Sequence, residues 1–195
     1  MKKLLVAAAA FSCLPGVAAA QDEAPENPFA GARVELRLGY ETPTVTSDGD
    51  DDIYKIGSAV SYGGEIGYDV AVSSKVTLGA YANYEFSSVE FCDGTDCIGE
   101  KGNLSVGGRV GVAVGPKAAL YGKLGYASIT LEASSGGASD SDSLGGVQGG
   151  LGVEFALTKN TYVSLEGAYA DFGELYDTGV NLQRRQVAAG FGFRF

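Results

Sequence analysis

Histidine is missing from all 195 residues. Its absence removes the commonest general base, the usual partner of an activated serine or cysteine, and a frequent zinc ligand. Cysteine is scarce, at three, so thiolates alone make a poor zinc set. Basic residues are in deficit: 14 Lys and Arg stand against 24 Asp and Glu, a formal net charge of −10. A chain this acidic lacks the basic patches of a general nucleic-acid binder. Long apolar runs are missing too. The stretch Leu4 to Phe11 is too short, and too soon interrupted by Pro15 and Gly16, for a spanning helix of about 20 residues.

That stretch has a different reading. MKKLLVAAAAFSCLPGVAAA combines a positive start at Lys2 and Lys3, a short apolar segment and the small residues Ala18 to Ala20. These are the parts of a cleaved signal peptide, residues 1–20. Cleavage before Cys13, as in a lipoprotein, fits poorly, because Ala10-Phe11-Ser12 lacks the usual leucine and sets a ring beside the cut. Removal of 1–20 takes away two lysines and no acid, so the formal charge becomes −12. Two cysteines remain, Cys92 and Cys97, in EFCDGTDCIGE. An exported chain meets an oxidising compartment, and the turn residues between them predict a small disulfide-closed loop. Residues 21–31, QDEAPENPFAG, carry no strand pattern and read as a flexible N-terminal tail.

The rest alternates. RVELRLGYE places Val34, Leu36, Leu38 and Tyr40 on one face, and KVTLGAYANYEF places Val76, Leu78, Ala80, Ala82, Tyr84 and Phe86 there. Similar segments are SAVSYGGEIGYDV, NLSVGGRVGVAV, ALYGKLGYAS, GVQGGLGVEFAL, YVSLEGAYADF and QVAAGFGFRF. A period of two is a strand signal, and the segments number eight. Their connections alternate in length. Ser73-Ser74-Lys75, Gly115-Pro116-Lys117 and Thr158-Lys159-Asn160 are tight turns, whereas TPTVTSDGDDDIYK, SSVEFCDGTDCIGEKG, EASSGGASDSDS and GELYDTGVNLQ are long polar loops. An even strand count with short turns at one end predicts an all-β, eight-stranded antiparallel up-and-down transmembrane β-barrel over residues 32–195.

The opposite faces of these strands carry Arg33, Glu35, Arg37, Glu65, Glu85, Arg109, Lys123, Glu154, Glu166 and Arg194, with Asn83, Gln148 and Ser164. Their neighbours are mostly small, such as Gly107, Gly125, Gly152, Ala188, Gly190 and Gly192. A solvated outer face carries more charge than this. Small residues with a few charges suit a narrow interior, and five acids against five bases can neutralise one another there. Tyr40, Tyr62, Phe86, Tyr126 and Tyr169 fall near the long-loop ends, and Tyr68, Phe155 and Phe195 near the short-turn ends. Two aromatic belts are expected of a spanning barrel.

With these features the sequence resembles the small outer-membrane barrels of Gram-negative bacteria, the family of the OmpA transmembrane domain, OmpX and the opacity-type surface proteins. The most specific match is the last strand, where Val187, Ala189, Phe191, Phe193 and Phe195 fit the family's C-terminal signal. The resemblance implies that this strand is read by the barrel-assembly machinery, with periplasmic chaperones as earlier partners, and then pairs with the first strand to remove both edges. It implies a monomer in outer-membrane lipid and lipopolysaccharide, with both termini periplasmic. No peptidoglycan-binding domain follows the barrel, so anchoring to the cell wall is not implied.

Three function classes follow. Barrel enzymes of this kind resemble His-assisted catalysts, which this chain does not match. Glu65 with Glu85 is the remaining carboxylate pair, and the competing reading is a structural network with the interior bases. The expectation is no enzyme, no cofactor and no metal site. A narrow porin-like channel is the second class, although eight strands leave room only for side chains, where diffusion porins use about 16 to 18. A surface or envelope-integrity protein, plugged by its interior charges, is the third and preferred reading. Its loops hold Asp48, Asp50, Asp51, Asp52, Glu90, Asp93, Asp96, Glu100, Asp140, Asp142, Glu174 and Asp177. SDGDDD does not make an EF-hand, since Gly49 is misplaced and Ile53 and Ala59 stand where glycine and glutamate belong. Divalent cations bridging these acids to lipid phosphate, and Arg185 outward at the lipid boundary, are weaker possibilities; a snorkelling arginine is the plainer reading of the latter.

Overall fold

In the computed structural model the described residues are 27–47, 50–55, 57–88, 90–93, 96–135, 138–174 and 180–195, so the predicted leader, 1–20, lies outside them. Ten strands occur among them: β1 (Gly31–Ser47), β2 (Asp50–Lys55), β3 (Ala59–Ala71), β4 (Val76–Ser87), β5 (Glu90–Asp93), β6 (Asp96–Ala113), β7 (Ala118–Ser135), β8 (Ala138–Ala156), β9 (Thr161–Glu174) and β10 (Val180–Arg194). Eight of them follow one another round a sheet in the order β1-β3-β4-β6-β7-β8-β9-β10, every pair antiparallel. Pairing of β1 with β10, from Arg33 opposite Arg194 to Ser47 opposite Val180, closes the circle. The expected eight-stranded barrel is the observed fold, and closure leaves no free edge.

The two extra strands, β2 and β5, are short and pair only with the outer ends of β1 and β6. They belong to hairpins beyond the barrel wall. Three wall connections are the tight turns expected around Ser73, Pro116 and Lys159. The opposite end differs from expectation. Most of EASSGGASDSDS is strand rather than loop: β7 runs to Ser135 and β8 starts at Ala138, with Ser135 facing Ala138. Barrel strands span 12 to 19 residues rather than about ten. The physical reason is that alternation marks only the part of a strand with lipid on one face. Beyond that band the outer face meets water, the apolar period fades, and ladder hydrogen bonds continue regardless.

Side-chain direction follows parity. Leu36, Leu38, Ile66, Leu124, Leu151 and Phe195 point outward and are each more than 59 % exposed, whereas the opposite faces are buried. Exposed Tyr40, Tyr62, Tyr126 and Tyr169 mark one boundary of this apolar band, Tyr68, Phe155 and Phe195 the other. A soluble protein would not leave such a belt uncovered.

The tail expected over 21–31 is described from Asn27 onward, and there it is tied down. Phe29 is buried, its carbonyl accepts a bond from Arg194, and Asn27 Nδ2 donates to the Ser73 carbonyl at 3.2 Å. Gly31 then enters β1 at φ +122°, with the Phe195 carbonyl oxygen 2.3 Å from where a Cβ would stand. Only glycine fits both the angle and the approach. Residues 27–31 thus pack against the short-turn end of the barrel.

Candidate functional site

The lumen is the candidate site, built by every second residue of eight strands. All ten charges expected inside are buried. At the short-turn end, Arg109 Nη1 and Arg33 Nε reach Asp69 Oδ2 at 2.7 and 3.0 Å, while Arg109 Nη2 and Arg194 Nη2 reach Glu154 at 2.8 Å each. In the middle, Lys123 Nζ lies 2.6 Å from both Glu65 and Glu166, and Arg33 Nη1 lies 2.6 Å from the other Glu65 oxygen. Arg37 reaches Glu166 at 2.8 Å, Glu85 at 2.9 Å and Glu35 at 3.2 Å. Toward the long-hairpin end, Arg184 meets Glu85 at 3.0 Å and donates through Nε to Glu41 at 2.6 Å. Gln186 donates to Glu85 at 2.6 Å, and Glu35 accepts from Ser164 at 3.0 Å. Shared residues join all of this into one network across the lumen.

Glu65 and Glu85 therefore do not form a carboxylate dyad. Each accepts from two or more cations, and Arg37 stands between them. Enclosed charges must be paired in this way, because an unpaired charge in a dry interior costs several kcal/mol.

Four charged members of the network were not among the ten. Asp69 and Glu41 share the inward parity of β3 and β1, and Arg184 that of β10 one pair beyond the predicted strand, so parity could have found them. Glu100 could not be found that way. A register shift between Glu100 and Gly102 puts Lys101 out of pair, so Glu100, with the even number of the outward face, turns inward instead. It is buried, not a solvated loop acid, and its nearest cation is Arg184 at 3.8 Å. With these four, the described lumen holds eight buried acids and six bases rather than five of each.

Tyrosines floor the network. Tyr121 lies under Arg109, 4.2 Å from ring centre to guanidinium, and Tyr162 lies 5.3 Å from Arg194. Each ring rests on a register-paired glycine of the next strand: a Cβ on Gly152 would come within 2.4 Å of Tyr121, and one on Gly192 within 2.1 Å of Tyr162. The inward glycines are thus the space the rings occupy.

Above the network, at the long-hairpin end, the interior turns apolar. Ala127, Ile129, Ala170, Phe172 and Leu182 form a buried cluster, with Val45, Leu131 and Leu144 packed against it. Parity in YVSLEGAYADF and ALYGKLGYAS turns Ala127, Ala170 and Phe172 inward, but Leu182 falls in the expected loop GELYDTGVNLQ, so the sequence does not show the cluster as a whole.

Other predicted residues lie as follows. The register sets Cys92 opposite Cys97 in the β5–β6 hairpin. Val187, Phe191, Phe193 and Phe195 face outward, and Ala189 shares their parity. Asp48, Gly49 and Asp177 lie outside the described residues, and Asp50 to Asp52 belong to β2. No group of three potential metal ligands occurs among the described residues.

A family model described as "Outer membrane protein beta-barrel domain" matches residues 4–195. No curated protein matches. Among solved structures, Ail, the attachment invasion locus protein of Yersinia pestis, is 20 % identical with a TM-score of 0.51, covering 84 % of this chain and 99 % of that one. Neisserial surface protein A is 15 % identical with a TM-score of 0.54, covering 85 % and 99 %. OprG from Pseudomonas aeruginosa is 15 % identical with a TM-score of 0.53, covering 85 % and 96 %. At these identities the likeness is one of fold.

Proposed function

The chain belongs to the outer membrane protein β-barrel family, whose place is the bacterial outer membrane, and from that premise we propose that it is a sealed, non-enzymatic surface and envelope protein. The observation that carries this reading is the ion-pair network through the lumen, with an apolar cluster stacked on it. Ions would have to break buried pairs and then cross a dry segment, and both steps are costly. Whatever the protein recognises is then met by the outer hairpins, where Asp140 and Asp142 are exposed.

The same reading assigns the finer features. Residues 1–20 act as a cleaved leader, and the alternating end from Val187 to Phe195 is the segment read during assembly. Barrel-assembly machinery and periplasmic chaperones are transient partners, and the mature barrel is a monomer in lipid. Cys92 and Cys97 are cross-linked. Directly opposed residues of an antiparallel pair lie about 4.5–5.5 Å apart, within the span a disulfide takes.

The test is release of trapped solutes from vesicles bearing the refolded protein: retention supports the sealed barrel, and rapid loss of small solutes overturns it. A narrow channel is the second reading, favoured by one observation. Buried Thr77 Oγ1 on β4 and Asn103 Oδ1 on β6 have no hydrogen-bond partner among the described residues, and water bonding to such groups is how a hydrated path would start.

A further inference from the structure

The wall has a gap where β4 leaves β6. β6 pairs with β4 as far as Asn103, opposite Glu85, and with β5 from Gly99, opposite Glu90. Between these ladders Glu100, Lys101 and Gly102 are paired with neither strand, and the register shift against β7 falls at the same place. A cavity of about 230 Å³ fills the gap, its lining including Ser87, Ser88, Glu100, Lys101, Glu132 and Ser134. Ser88 and Lys101 are exposed, so the cavity opens to water at the long-hairpin end.

Glu100 forms its inner side. The residue is 5 % exposed, and neither carboxylate oxygen has a hydrogen-bond partner among the described residues. Every other buried acid of the lumen accepts at least one bond. Arg184, at 3.8 Å, is the nearest cation, but its hydrogen bonds go elsewhere: Nε donates to Glu41 at 2.6 Å and Nη2 to Glu85 at 3.0 Å. On the rim, Lys101 pairs with Glu132 at 2.9 Å. A buried carboxylate with two bare oxygens is costly, and a cation carrying several N–H donors is what satisfies it.

The lining selects the kind of cation. Calcium takes six to eight oxygen ligands, and no group of three potential metal ligands occurs among the described residues. What stands beside the single carboxylate is hydroxyl. Ser88 Oγ donates to the Val60 carbonyl at 3.0 Å, which leaves its oxygen able to accept. The cavity also holds more than a bare ion, so a short carbon chain fits behind the charge. We propose that the gap between β4 and β6 is a binding site for a small primary-ammonium compound, its three N–H donors shared between the Glu100 carboxylate and the Ser88 hydroxyl. This deepens the surface reading above, since it puts recognition among the outer hairpins, but it does not need a sealed lumen. Solute release and amine binding therefore fail separately. A charge-assisted hydrogen bond at a water-poor carboxylate is about twice as strong as a neutral one.

The probe is n-butylamine, with n-butanol as its uncharged counterpart and calcium chloride as the metal control. Each is titrated singly into the isotope-labelled mature chain, refolded in an uncharged maltoside detergent. At pH 8, where Glu100 is ionised, butylamine should give saturable NMR shifts at the amides of Ser88, Glu100 and Lys101. Glu100→Gln should weaken binding by about tenfold or more, and Ser88→Ala by about threefold. Heat-dependent gel mobility confirms that each variant is a folded barrel. Absence of saturable shifts with butylamine, parent-like binding by either variant, an equal response to butanol, or a response to calcium in place of the amine would each overturn the assignment.

Discussion

Arg37 on β1 reaches Glu166 on β9, its Nη2 donating to Oε1 at 2.8 Å, although β10 lies between the two strands. The contact crosses the lumen rather than following the wall. Arg37 also holds Glu85 and Glu35, so one guanidinium ties three carboxylates from three strands.

Arg37→Met should therefore be severely destabilising. Lys123 still reaches Glu166, but Glu35 loses its only basic partner among the described residues and Glu85 loses one of two. Breaking a buried pair from one side costs about 3–5 kcal/mol. Urea unfolding in phospholipid vesicles should show a loss of that size; a change near zero would mean that water, not protein, balances these charges.

The glycine–tyrosine contacts predict a different failure. In Gly192→Val the new Cβ falls 2.1 Å from the Tyr162 ring, so the ring must leave its place under Arg194. Overpacking of this kind costs about 1–3 kcal/mol or more. The variant should fold poorly, as judged by heat-dependent gel mobility, and the double variant Gly192→Val with Tyr162→Ala should recover part of the loss. Normal folding of the single variant would contradict the packing described.

How far sequence led, and where it stopped, has the same physical root as these contacts. Parity works wherever lipid presses on one face, which is why the sequence alone places Arg33, Glu65 and Lys123 inside. It failed at Glu100 because one extra residue at Lys101 reverses the faces. It placed Phe172 on the face of Glu166 but was silent about Leu182, which falls in the expected loop GELYDTGVNLQ, outside the alternating segment. Pairing was also out of reach: alternation puts Arg37 inside but cannot say that it meets Glu166.

Glu100 gives the barrel a pH dependence. It lies beyond the apolar band, opposite Leu131 and five residues past Tyr126 along β7. Burial pushes its carboxyl up to about 7, Glu41 and Glu85 push the same way, and Arg184 opposes them. The folded state thus holds an extra proton between the ordinary carboxylate range and about pH 7, so this residue's contribution falls as pH rises through that window. Glu100→Gln should remove this slope and stabilise the barrel above pH 7, by at most about 3 kcal/mol. Unfolding midpoints at pH 5 and pH 8 decide it; parallel shifts in parent and variant would refute it.

Loss of the proposed cross-link should be a local event. Replacing Cys92 and Cys97 by serine relaxes a loop of a few residues, about 2 kcal/mol by chain entropy. β5, which carries Cys92, pairs only with the outer end of β6 and takes no part in closing the barrel. Protease should nick the β5–β6 hairpin faster, while barrel unfolding stays unchanged. Equal nicking with and without reductant in the parent chain would show that the bond is absent.

The sealing of the lumen is tested most directly by current across a planar bilayer holding the refolded, heat-modifiable barrel. A silent membrane is predicted for the parent, and rare openings only when Arg37 or Arg184 is replaced. Steady, reproducible conductance from the parent would contradict the sealed barrel, and the eight acids and six bases of the lumen would then line a path for ions.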